Sequence, residues 1–155
     1  MDGEFLCEES FGTVKGVGGG NFLILGDKQS QTLAAAEAAV RAIREVPGVI
    51  LPFPGGIVRS GSKVGSKYKG LKASTNDAYC PTLRGAVNSA LPEGVNAVYE
   101  IVIDGLDLAS VERATLEGMQ AATRCPGVRR ITAGNYGGKL GPFHIHLGQL
   151  IQGKA

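Results

Sequence analysis

Apolar positions in SQTLAAAEAAVRAIREVPGVI, from Ser30 to Ile50, recur at helical spacing. Leu33, Ala36, Ala39, Val40 and Ile43 share one face, and the alanines add strong helix propensity. Ser30 is the expected N-cap, and Pro47-Gly48 is expected to end the helix before Val49. On either side the period changes. NFLILG ahead of the helix reads as a short strand, and VILPF behind it as another.

The same order returns seventy-nine residues later as the strand VYEIVIDG, the helix LASVERATLEGMQAATRC and the strand PGVRRITAG. Gly26 matches Gly105, Ala35 matches Ala114, Ala42 matches Ala121, and Gly55 matches Gly134. Pro47-Gly48-Val49 matches Pro126-Gly127-Val128. These matches fall at turns and helix packing positions, as a duplicated β-α-β unit requires. Two such units in series predict a single α+β domain over residues 1–155. It is a ferredoxin-like split β-α-β sandwich, an antiparallel sheet with helices on one face. The alanines of the first helix, with Ala114, Gly118, Ala121 and Ala122 of the second, fit close packing on that sheet or against another chain.

Composition narrows the class. The 155 residues are 43% hydrophobic and 19% charged, a globular balance with enough chain for one core. The 24 glycines point to tight turns and close backbone approach. A net charge of +2 favours an anionic partner only weakly. No apolar run reaches the ~20 residues that span a bilayer, so no membrane partner is expected. MDGEFLCEES lacks the basic and apolar regions of a signal peptide. The odd, scattered Cys7, Cys80 and Cys125 fit a reducing cytoplasm, with Cys80 the one expected at the surface.

Two glycine-rich stretches fail as nucleotide sites. GVGGGN has asparagine where G-x-G-x-x-G needs its last glycine, and it precedes a strand instead of following one. GNYGGKL has Leu140 after the lysine where a P-loop carries Ser or Thr. His144 and His146 alternate in FHIHL, which reads as a strand edge with both rings on one face; two ligands alone make no metal site.

Glu100 is the only charge between Val95 and Ile103. Alternation puts Val98, Glu100 and Val102 on one face, and Tyr99, Ile101 and Ile103 on the other. A carboxylate there must be paired, protonated or at a wet cleft, so it is either part of a solvated sheet face or an acid–base group. Asn21 occupies the matching place in the first unit, so folding does not demand a charge. Between the units, PFPGGIVRSGSKVGSKYKG carries Lys63 and Lys67 beside Ser60, Ser62 and exposed backbone N–H groups. It reads as a cationic wall for an acidic small molecule or as a solvated charge run. Aromatic side chains do not interleave with the lysines, which argues against nucleic acid.

EESFGTVKGVGGGNFLILG, AAEAAV, PFPGGIVRSGSKVG, YKGLKAST, VNAVYEIVIDGLD and ITAGNYGGKLG resemble the C-terminal half of the formylmethanofuran–tetrahydromethanopterin formyltransferases. The resemblance runs from about Gly3 to Leu150. It implies formyl transfer from formylmethanofuran to N5 of tetrahydromethanopterin in one-carbon metabolism, with no metal or prosthetic group. It further implies two related ferredoxin-like halves and a homo-oligomer, a dimer or tetramer, with substrates in clefts near subunit contacts. The N-terminal half is not in this sequence, so catalysis is expected to need it. The alternative is a non-catalytic scaffold or binding subunit of a formyltransferase/hydrolase assembly. The family's catalytic carboxylate in YEIVI corresponds to Glu100. Ser60, Ser62, Asn135 and the amides of Gly55-Gly56 and Gly137-Gly138 are then the candidate substrate donors, and Lys63 and Lys67 the partners of acidic substrate tails.

Overall fold

The computed structural model describes residues 3–59, 76–134 and 141–153. The elements are β1 (Val17–Gly26), α1 (Gln29–Arg44), β2 (Val49–Ile50), β3 (Val58–Arg59), β4 (Ala97–Gly105), α2 (Leu108–Thr123), β5 (Val128–Thr132) and α3 (Leu147–Ile151). The strands form one antiparallel sheet in the order β2-β4-β1-β5, and β3 pairs with β4 as well. The fold class is α+β.

The sheet is organised around β1 and β4, where Phe22 faces Ile101, Leu23 faces Glu100 and Ile24 faces Tyr99. Because side chains alternate along a strand, this register sorts them into two sets. Phe22, Ile24, Ile101 and Ile103 point to one face and are fully buried with Ala35, Ala39 and Ile43 of α1 and Val111, Ala114 and Met119 of α2. Leu23, Leu25 and Val98 point the other way and pack with Val95, Tyr79 and Leu91. The alternation expected around Glu100 is therefore the one observed.

Close helix approach explains the small residues. A Cβ on Gly118 would lie 2.7 Å from Ile43 Cδ1 and 3.0 Å from Phe22 Cζ, so a side chain there would wedge α2 off both α1 and the sheet. Ala35, Ala36, Ala39, Ala114 and Ala122 are all in this core.

Residues at the seventy-nine-residue offset occupy matching places. Val49 pairs with Gly105 and Val128 with Gly26. The Leu106 N–H donates to the Gly48 carbonyl, as the Asp27 N–H does to that of Gly127. Gly48 and Gly127 both have φ of 81°, the left-handed region in which glycine is favoured at a helix exit.

Several local expectations are corrected. β1 starts at Val17 and takes in the glycine run, with a register shift between Val17 and Gly20 where Gly19 has φ of 78° and donates its N–H to Asp104 Oδ1 at 2.7 Å. VILPF is strand only at Val49–Ile50, because Pro52 and Pro54 have no N–H for the ladder. Ser30 is inside α1, and Lys28 is the N-cap. Lys28 makes no side-chain capping bond, and the Thr32 hydroxyl donates to the Lys28 carbonyl at 2.8 Å beside the Thr32 N–H. FHIHL is not a strand; His146 is the N-cap residue of α3. Cys80 is buried, its Sγ 3.2 Å from the Thr82 hydroxyl.

Asp107 caps α2 by accepting the Ser110 N–H at 2.8 Å. That N–H, and then the Ser110 hydroxyl, hold its carboxyl below the usual aspartate range. Because the folded pKa is lowered, the stabilisation is complete above the unfolded value and fades as pH falls through the folded one. Asp107→Ala is expected to lower the thermal midpoint by a few degrees at neutral pH, with the gap to wild type closing below about pH 4. Thermal denaturation of both proteins across the acid range checks this.

Candidate active site

Glu100 sits mid-strand in β4 on the sheet face opposite α1 and α2. Its side chain is 7% exposed, so its oxygens need partners inside the protein. Asn21 Nδ2, from β1, donates to Oε1 at 2.8 Å. Asn76 Nδ2 donates to Oε2 at 3.2 Å, and Asn76 is itself buried. One carboxylate thus receives an amide N–H on each oxygen, from two separate parts of the chain.

Three features of the sequence build this arrangement. Asn21 lies diagonally across the ladder from Glu100, since its direct partner is Val102. Asn76 precedes the 3-10 turn Asp77–Tyr79, and the Tyr79 N–H donates to the Asn76 carbonyl at 2.9 Å. Gly134, just past β5, leaves the space that the Asn76 amide fills. A Cβ there would stand 2.6 Å from Asn76 Oδ1.

Glu100 opens onto a cleft of about 880 Å³. One wall is Gly16–Asn21, where glycines leave the start of β1 bare of side chains; another is Phe53 and Val58. Residues 141–146, with Phe143, His144 and His146, close a third side. Both aromatic rings are partly exposed, Phe53 by 44% and Phe143 by 48%. The cleft therefore combines flat apolar walls, two imidazoles and one buried, hydrogen-bonded carboxylate. Such a set suits binding and proton transfer on a small organic substrate. Among the described residues, no group of three or more His, Cys, Asp or Glu is placed to hold a metal ion.

The sequence-derived candidates are distributed unevenly. Val58, the first residue of β3, pairs with Glu100, so the chain leading into Ser60, Ser62, Lys63 and Lys67 starts beside the carboxylate. Those four residues, and Asn135, Gly137 and Gly138, lie outside the described residues. Gly55 and Gly56 are not in the cleft wall. They border a smaller pocket with Ile43, Val49 and Leu51. The Gly56 N–H is already donated to the Phe53 carbonyl at 2.8 Å, so it does not serve as an oxyanion donor. A Cβ on Gly56 would meet Leu51 and Val40 within 3 Å, and its φ of 80° turns the chain toward β3.

Asn76 was missed in the sequence. The available signal was Glu100 itself, since a charge in an apolar strand requires a donor from elsewhere. Nothing in the sequence says which residue supplies it. His144 and His146 lie on the cleft wall and not on a sheet edge.

The formylmethanofuran–tetrahydromethanopterin formyltransferase of Methylococcus capsulatus is 60% identical over 154 residues, 97% of this chain and 52% of that protein. The chain spans about half the length of the curated relatives it matches. The solved structure of the Methanosarcina barkeri formyltransferase superposes with a TM-score of 0.80 at 54% identity, over 88% of this chain and 47% of that one. A chain of the formyltransferase/hydrolase complex from Methylorubrum extorquens, solved with methylofuran, gives a TM-score of 0.76 at 55% identity, over 86% and 44%. A family model described as "FTR, proximal lobe" matches residues 3–150, and the chain therefore belongs to the proximal-lobe family of the formyltransferases.

Proposed function

We propose that this chain is the catalytic-carboxylate lobe of an enzyme that moves a formyl group from formylmethanofuran to N5 of tetrahydromethanopterin. The observation that carries the reading is Glu100, buried at the cleft with an amide donor on each oxygen, in a lobe of the formyltransferase family. In the reaction the pterin amine attacks the formamide carbon, an oxyanion develops, and the methanofuran amine departs with a proton. Glu100 is the acid–base group that accepts the proton from the attacking amine and returns it to the leaving one. Donors toward the oxyanion are drawn from Ser60, Ser62, Asn135 and the amides of Gly137-Gly138. The partly exposed Phe53 and Phe143 offer flat faces to the substrates' ring systems and help keep water from the formyl group. Both substrates arrive and leave; the mechanism calls on no prosthetic group.

We read the architecture as a duplicated β-α-β unit in the ferredoxin-like arrangement, supported by the strand order and by the matched contacts at the seventy-nine-residue offset. Catalysis needs the other lobe. Phe5, Leu6, Phe11 and Val14 are each more than 80% exposed within one segment, an apolar load suited to burial against a further protein surface. That surface is the remaining half of the enzyme, and assembly continues to a cytoplasmic homo-oligomer. A second reading, as a binding subunit without its own turnover, is favoured by the match to a chain of a multi-subunit complex.

Three outcomes are expected. In protein carrying both lobes, Glu100→Gln lowers kcat by ~10²–10⁴ with little change in KM; steady-state assay of formyl transfer checks this, and a variant keeping most of the parental rate refutes the acid–base role. This lobe alone is expected to be inactive, and addition of the N-terminal lobe to restore turnover. Activity measured with and without that lobe separates the enzyme from the silent subunit, which would remain inactive in both. Finally, joint replacement of Lys63 and Lys67 by Met is expected to weaken binding of the acidic substrate at low salt, with the difference fading as salt rises. Titration at two ionic strengths decides the point: equal low-salt affinities would make these lysines ordinary surface charges.

A further inference from the structure

We infer that Asn21 and Asn76 are positioning residues that act through Glu100, one from each side, and fix its carboxylate toward the cleft. The inference rests on the acid–base reading of Glu100 given above. Its support is geometric. Asn21 Nδ2 and Asn76 Nδ2 approach different oxygens of the same carboxylate, at 2.8 and 3.2 Å. A carboxylate with a donor on each oxygen cannot rotate about its last torsion without breaking one hydrogen bond to an ionised group, the stronger kind. Its plane, and so the direction of its lone pairs, is set before substrate arrives. General acid–base catalysis depends on that direction, because the proton must travel along a short line between heavy atoms.

Asn21 stands seventy-nine positions before Glu100, at the equivalent place in the first β-α-β half. The register explains why the two meet. Phe22 pairs with Ile101, residues at that same offset, so the approximate two-fold axis relating the halves passes through this pair. Residues one step away on each strand, Asn21 and Glu100, then lie diagonally across the axis on the cleft face. A symmetric pair of acids there would place two negative charges within contact distance in a buried setting, which is unfavourable. A symmetric pair of amides would hold no exchangeable proton useful to catalysis. One acid with one amide avoids both problems. The two halves have therefore diverged at this position into a proton carrier and its clamp.

Asn76 supplies the second clamp, and Gly134 is its seat. A methyl group on Gly134 would come within 2.6 Å of Asn76 Oδ1 and push the amide away from Glu100. This gives the glycine before Asn135 a role unrelated to phosphate binding.

The test is a set of coupled variants in protein carrying both lobes, assayed for formyl transfer from formylmethanofuran. Asn76→Ala and Asn21→Ala are each expected to lower kcat by roughly 10- to 100-fold, the worth of one hydrogen bond to a charged group, with KM within about twofold of the parent. Gly134→Ala is expected to produce a smaller fall of the same kind while leaving Asn76 in the chain. The same changes placed in a Glu100→Gln background are expected to cost nothing further, because a residue that acts only through Glu100 loses its role when the acid is gone. Further loss in that background, or a loss confined to KM, overturns the inference and makes the asparagines direct substrate ligands or structural supports. Asparagine variants at parental rate beside an inactive Glu100→Gln overturn the inference alone. A fully active Glu100→Gln overturns the acid–base reading and the clamp with it. If Asn76→Ala does not fold, Asn21→Ala and Gly134→Ala carry the same comparison.

Discussion

The pairing of β1 with β4 is the constraint on which the rest of the structure depends. With Phe22 opposite Ile101, every second side chain of the two strands is committed to the helices and the others to the opposite face. A one-residue slip of β4 on β1 would drive Glu100 into the apolar layer beneath α1 and α2 and turn Ile101 and Ile103 out of it. Burial of Phe22, Ile24, Ile101 and Ile103 against the helices therefore also fixes which way the carboxylate points. Core packing and site placement are two consequences of one register.

The glycines extend this logic, since they are absences of side chain at points of crowding. Gly118 lets α2 settle against Ile43 and Phe22, and Gly134 admits the Asn76 amide. The glycines at the start of β1 leave the cleft open above the sheet. Gly19 lies at a shift in strand register and Gly134 seats the Asn76 amide, so geometry accounts for both without a bound phosphate.

A buried acid in a β-strand is costly unless its oxygens have donors, and Asn21 and Asn76 each give one. A donor on each oxygen orients the group toward the cleft. At the start of α2, Asp107 caps the helix through the Ser110 N–H, while the matching place in α1 is Lys28, which makes no side-chain capping bond.

The sequence by itself determined the two long helices, the central strands and the alternation that isolates Glu100. These depend on local periodicity and on turn residues, which are written into consecutive positions. It located strand and helix ends less well: β1 runs further back than its apolar core, and the α1 cap is Lys28 where Ser30 was expected. Hydrogen bonds across the sheet decide such limits, and propensity does not. Only the tertiary structure brought Asn76 to Glu100 and set His144 and His146 on the cleft wall. Those contacts join segments far apart in the chain. Their geometry exists only once the register of β1 on β4 has closed the sheet and the loops have packed over its second face.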